Sequence, residues 1–190
     1  MPKLRVDSSK EWLEAVFDDF DAFLLDHAAC ERKASATAMS LVSHYPDRAL
    51  LVREMVELAR EELEHFHQML WLLQCRRLIL RRDEKDRYVQ QLRHQIRTGP
   101  EAYLMDRLLV GGIVEARGCE RFGKVAEALS PGPLRDFYRD ITRSESQHHV
   151  LFYRLARNYF DPRAVDRRQD ELLDCEAEIV SALPTRPAVH

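Results

Sequence analysis

The apolar positions of this chain recur at helical spacing. Leu24, Ala28, Ala34 and Ala38 fall on one face of a stretch from about Asp21 to Ser43. Leu51, Met55, Leu58, Phe66, Met69 and Leu73 do the same in a second stretch ending near Cys75. Steps of three and four residues put side chains on one helical face, where they meet a core. His44-Tyr45-Pro46-Asp47 separates the two, because proline pushes the residue before it out of helical conformation. Asp47 is placed to cap the second helix. Two more long helices are predicted, over about Glu101–Leu129 and Leu134–Tyr159, with Ser130-Pro131-Gly132-Pro133 as the stop between them. Asp161-Pro162 ends the fourth.

Shorter elements flank these four. Ser8 or Ser9 can cap a first helix carrying Trp12, Val16 and Phe17. A connector over Arg76–Gly99 carries its own helix from Asp86 to Arg97. A final helix runs from about Arg163 to Ala182, and the tail from Pro184 to His190 reads as loosely ordered. Two helical hairpins joined by a long connector predict an all-α, four-helix bundle with one long crossover. The expected organisation is a single domain over residues 1–190, with its core bundle over about 21–160.

Composition agrees with this reading. The chain has 190 residues, 45% hydrophobic and 32% charged, enough for one core of useful size. No apolar run reaches the roughly 20 residues of a membrane span. Met1 to Lys10 lacks the apolar stretch of an export signal. The four cysteines, Cys30, Cys75, Cys119 and Cys175, are widely spaced, which fits reduced thiols in a cytoplasmic protein. No Cys-x-x-Cys occurs, against a zinc ribbon. The net charge of −3 hides one basic segment. Between Arg76 and Arg97 eight Arg and Lys residues face only Asp83, Glu84 and Asp86. A basic segment in an acidic chain suggests a local contact with a polyanion, a solvated connector being the alternative.

The chemistry lies in a repeated motif. Glu62-Leu63-Glu64-His65 recurs in kind as Glu145-Ser146-Gln147-His148. Residues three apart on a helix lie about 5–6 Å from each other on one face, so carboxylate and imidazole can point at the same ion. Glu31 precedes Glu62 by 31 residues, and Glu115 precedes Glu145 by 30. All four acids fall about 20 Å from their turns at 1.5 Å per residue, near mid-helix. Four Glu and two His form a hard oxygen and nitrogen set suited to Fe or Mn. Buried acids are costly unless paired or coordinated, and two divalent ions would balance four carboxylates.

Neighbouring residues compete for these roles. Glu64 and His67 also fit Glu-x-x-His, but His67 lies about 200° around the helix from His65. His149 adjoins His148, yet only His148 has a Glu three residues before it. Glu120 competes with Glu115. Glu115 is surrounded at helical spacing by Gly111, Gly112, Gly118 and Cys119, whereas Glu120 has Arg117 and Lys124 and reads as a surface ion-pair row. The glycines cost helix stability, and either room for metal and substrate or close helix packing would explain them.

Four phrases carry a family resemblance: His27-Ala28-Ala29-Cys30-Glu31-Arg32-Lys33-Ala34, Glu61-Glu62-Leu63-Glu64-His65-Phe66, Glu115-Ala116-Arg117-Gly118-Cys119-Glu120-Arg121-Phe122 and Ser144-Glu145-Ser146-Gln147-His148-His149. The chain resembles the ferritin-like di-iron carboxylate superfamily and, within it, the MiaE family of hydroxylases acting on 2-methylthio-isopentenyladenosine in tRNA. The resemblance implies two Fe ions, with Mn as the alternative metal, held by Glu31, Glu62, His65, Glu115, Glu145 and His148. It implies O2 as co-substrate, a separate reductase as electron donor, and hydroxylation of the prenyl side chain next to the anticodon. The basic connector then becomes a site for tRNA phosphate, especially Arg76, Arg77, Arg81, Arg82 and Lys85. An iron-storage or ferroxidase protein would share the ligands and have no obvious use for that basic segment; a peroxidase on the same bundle is a second alternative, which peroxide turnover without tRNA would favour.

Overall fold

The computed structural model describes residues 3–190; Met1 and Pro2, the start of the segment read above for an export signal, lie outside it. The described residues form seven helices and no strand: α1 Lys10–Asp18, α2 Phe20–His44, α3 Ala49–Cys75, α4 Arg87–His94, α5 Pro100–Ala128, α6 Pro133–Tyr159 and α7 Pro162–Ala182. No helix among them is long and apolar enough to cross a membrane. The chain divides into two compact units. One comprises residues 14–84 and 186–189; the other comprises residues up to 13, 85–185 and 190.

The first unit is built on the hairpin of α2 and α3. Asp19 caps α2 by accepting from the Ala22 amide at 3.0 Å. Leu24, Ala28, Ala38 and Leu41 of α2 and Leu51, Met55, Leu58, Met69 and Leu73 of α3 are buried, as their spacing predicts. Each fully buried Leu or Met contributes about 1.5–3 kcal/mol over exposure. Mid-hairpin, the Ser35 hydroxyl donates to the Ala59 carbonyl at 2.9 Å. Asp47 does not cap α3. The turn closes through the Arg48 amide on the Tyr45 carbonyl, which makes Arg48 the boundary residue, and that cap has no side-chain bond.

At the far end of α3 the Leu78 amide reaches the Leu73 carbonyl and the Arg77 amide reaches Gln74. This crossed pair is a Schellman motif, and it holds Arg77 at φ 58. The left-handed conformation costs a non-glycine residue roughly 1–2 kcal/mol. The tail is better ordered than its composition suggests. Ala188 and Val189 are buried, and the Val189 amide donates to Asp26 at 2.7 Å.

The second unit pairs α5 with α6 and packs α7 against α4, α5 and α6. The Ser9 hydroxyl accepts from the Trp12 amide at 3.2 Å, the cap expected for α1. Asp86 caps α4 by accepting from Val89 at 3.0 Å. Helix α5 lies close to α6. A Cβ added at Gly111 would stand 3.0 Å from the Phe152 ring, and one at Gly112 would stand 3.1 Å from its Cβ. Close packing therefore accounts for these two glycines.

Buried charge ties this unit together. Arg117 is fully buried and grips Glu176 from Nε at 2.9 Å, the Val6 carbonyl at 2.9 Å and Glu120 at 3.0 Å. The Tyr88 hydroxyl donates to Glu176 at 3.0 Å. Asp106, also fully buried, accepts from Arg97 at 2.7 Å and from Arg168 at 3.0 Å. Breaking such a pair from one side costs roughly 3–5 kcal/mol, because it strands the other charge. His190 stacks on Tyr88 with ring centroids 5.2 Å apart.

Candidate metal centre

Each hairpin brings two glutamates and a histidine to one place. In the first, ligand atoms of Glu31, Glu62 and His65 lie within 4.8 Å of one another. The helical step from Glu62 to His65 puts both on the face of α3 that is buried with Leu58 and Met69, and Glu31 meets them from α2. His65 Nδ1 is 3.4 Å from Glu31 and 3.6 Å from Glu62. In the second hairpin, Glu115 from α5 and Glu145 and His148 from α6 also bring ligand atoms within 4.8 Å of one another. His148 Nδ1 is 3.6 Å from Glu145. Glu145 and His148 are buried, and Glu115 is half-buried.

The competing residues are placed elsewhere. Glu64 and His67 are both exposed and 3.9 Å apart. Glu120 takes both Arg117 and Lys124, at 3.0 and 3.4 Å. The row is not a surface one, however, because Arg117 has no exposed side-chain area. A guanidinium can be buried there only because Glu176, Glu120 and the Val6 carbonyl satisfy its donors.

A group not singled out as a site residue in the sequence is His27. It is fully buried, and its Nε2 is 2.6 Å from Glu31 Oε1. An ionised carboxylate can only accept, so Nε2 carries the proton and donates. The step of four residues from His27 to Glu31 was the available signal. Burial alone would raise the pKa of Glu31; the hydrogen bonds from His27 and His65 outweigh it and hold the carboxyl well below its usual range. Burial likewise works against an imidazolium at His65, but Glu31 and Glu62 push its pKa up to about 10. These buried carboxylates thus call for a positive charge, which a divalent cation would supply in place of the His65 proton.

The donor set fits a hard metal ion. It is all oxygen and nitrogen. The Cys119 thiol is raised to about 11 by burial and by Glu145 and Glu120, and it donates to the Thr142 carbonyl at 3.4 Å. All four cysteines are free.

The basic connector is exposed at Arg76, Arg77, Arg81, Arg82 and Lys85. Its charge is partly committed. Arg76 pairs with Asp21 at 2.6 Å, and Arg97 is taken by Asp106. Arg77, Arg81, Arg82 and Lys85 make no ion pair among the described residues.

A family model described as tRNA-(MS[2]IO[6]A)-hydroxylase (MiaE) matches residues 2–190. The chain belongs to the MiaE family. It is 37% identical over 171 residues to the tRNA 2-(methylsulfanyl)-N(6)-isopentenyladenosine(37) hydroxylase of Pseudomonas putida, covering 90% of this chain and 83% of that protein. It is 32% identical over 160 residues to the hydroxylase of the same name from Salmonella typhimurium. That match covers 81% of this chain but only 57% of the Salmonella protein. Among solved structures, a Synechococcus protein described as having aldehyde deformylating oxygenase activity is similar, with a TM-score of 0.92 and 34% identity over 98% of this chain and 93% of that one. The MiaE-family chain thus has the all-α, ferritin-like fold that its sequence pattern predicted.

Proposed function

We propose that this protein is an O2-dependent hydroxylase of the isopentenyl side chain of 2-methylthio-isopentenyladenosine in tRNA. The observation that carries the proposal is the pair of Glu–Glu–His trios, one in each hairpin, in a chain whose full length matches the MiaE family. Glu31, Glu62, His65, Glu115, Glu145 and His148 would hold two iron ions. When bound, such a pair supplies reductive O2 activation. The chain's own residues do the rest. They hold the ions away from water between the helices of each hairpin and keep Glu31 ionised through His27.

The two electrons come from a separate reductase, and the enzyme works in the cytoplasm. Arg76, Arg77, Arg81, Arg82 and Lys85 contribute phosphate contacts that position the tRNA without reading its sequence. Iron storage or peroxide turnover leaves that exposed basic segment without a role. Oxygenation of an aldehyde is a second reading, supported by the Synechococcus neighbour alone.

Mass spectrometry of tRNA nucleosides from cells with and without the gene tests the proposal. The hydroxylated nucleoside should disappear, and its prenylated precursor accumulate, when the gene is removed. An unchanged nucleoside profile would contradict it.

A further inference from the structure

On the first unit, a cavity of about 520 Å³ opens between α2, connector residues 80–84 and tail residues 186–188. Small-ligand sites span roughly 300–1,000 Å³, so a nucleotide-sized group fits. Leu25, Ala29 and Phe66 give it an apolar floor. Arg81, Arg82 and Arg186 stand among its walls.

The charges of this groove are unevenly committed. Arg32 is bound by Asp83, and Lys33 donates to the Glu84 carbonyl at 3.2 Å. Asp26 accepts from the Val189 amide. Arg81, Arg82 and Arg186 have no ion-pair partner among the described residues, and of the lining carboxylates only Glu84 is likewise uncommitted. Three unengaged guanidiniums against one carboxylate favour an anion, and the apolar floor beneath them favours a flat organic group attached to it.

Position separates this groove from the ligand face of α2. Ala22, Asp26, Ala29 and Lys33 run down one stripe of the helix and line the cavity. Glu31 is two residues from both Ala29 and Lys33, which places it about 200° away around the helix. A group seated in the groove is therefore not the one presented to the metal ligands.

We infer that this groove receives one nucleotide of the RNA other than the one hydroxylated, with phosphate on Arg82 and Arg186 and the base or sugar over Ala29 and Phe66. The inference rests on the tRNA reading given above. It extends the RNA contact from the connector to the tail, through Arg186.

The test uses the iron-loaded full chain and a fluorescent synthetic anticodon stem-loop RNA, with Kd measured at two salt concentrations. Arg186→Glu should weaken binding about tenfold and flatten the salt dependence by roughly 0.7 in log–log slope, the value for one phosphate contact on a single strand. Ala29→Phe, which fills the floor without changing charge, should weaken binding by a similar factor. Arg53→Glu, at an exposed site on α3, should bind within twofold of wild type. Iron content and helicity should be unchanged in all three. Wild-type affinity in Ala29→Phe would show that nothing enters the groove and would overturn the inference, even if Arg186→Glu bound weakly. An equal loss in Arg53→Glu would reduce the effect to net charge and overturn it as well. A wild-type protein that fails to bind the RNA would remove the tRNA reading itself, an outcome distinct from both.

Discussion

The two hairpins carry the same ligand types at nearly the same spacing, but they support them differently. In α2 and α3, the residue one helical turn before the first glutamate is His27, buried and donating to Glu31 at 2.6 Å. In α5 and α6, the corresponding position before Glu115 is Gly111, which brings the helix against the Phe152 ring. One hairpin positions its carboxylate with a hydrogen bond; the other uses the corresponding position for backbone packing. A shared ligand pattern therefore does not imply a shared supporting shell.

The largest expected effect falls equally on both hairpins. Glu31→Ala and Glu115→Ala should each leave metal charge unbalanced and lower iron content from two ions per chain to one or fewer, read by elemental analysis. If Glu120→Ala abolished iron binding while Glu115→Ala did not, the assignment on α5 would be wrong. Glu120 already has a different role, as a partner of Arg117 and Ser8.

The next effect is confined to the first hairpin. His27→Phe should lower iron affinity about 10–100-fold, the usual consequence of losing a partner that orients a ligand. His27→Gln, which keeps a donor, should recover part of it. Competition with a chelator gives the number without recourse to turnover. Equal affinities in wild type and His27→Phe would remove the difference drawn between the hairpins.

A smaller effect belongs to the second. Gly111→Ala should destabilise the protein by roughly 1 kcal/mol, the net of overpacking at about 1–3 kcal/mol and a helix-propensity gain of about 1 kcal/mol. Phe152 is buried and has little room to move away. A thermal melt checks this, and a stabilised variant would mean that the ring yields. The smallest effect is at the end of α3. Arg77→Gly should relieve left-handed strain and raise stability by up to about 1 kcal/mol, while weakening RNA binding by one phosphate contact.

Much of this was legible in the sequence. The long helices lie within a residue or two of their predicted bounds, because Pro46, Pro100, Pro133 and Pro162 punctuate the chain at or near helix starts. The two trios followed from spacing along helices. Long-range pairing was the part that could not be read. Arg117 has the composition of a surface residue, and its partner Glu176 lies 59 residues away. The tail from Pro184 reads as loosely ordered by composition, yet Val189 is buried and its amide donates a hydrogen bond to Asp26, 163 residues earlier. The cap of α3 failed for a local reason, since the turn closing on Tyr45 moved the boundary one residue beyond Asp47. His27 was within reach of the same spacing rule that picked out the candidate ligands.

The most direct test is a reconstituted reaction. Protein loaded with two irons per chain is mixed with a stem-loop RNA bearing 2-methylthio-isopentenyladenosine, a reductant and O2, and the RNA is analysed by mass spectrometry. The expected result is the gain of one oxygen atom on the prenyl side chain, with no gain when Glu31 or Glu115 is replaced by Ala. An iron-loaded protein that leaves the prenylated RNA unchanged under reducing conditions, with O2 present and the RNA bound, would contradict it.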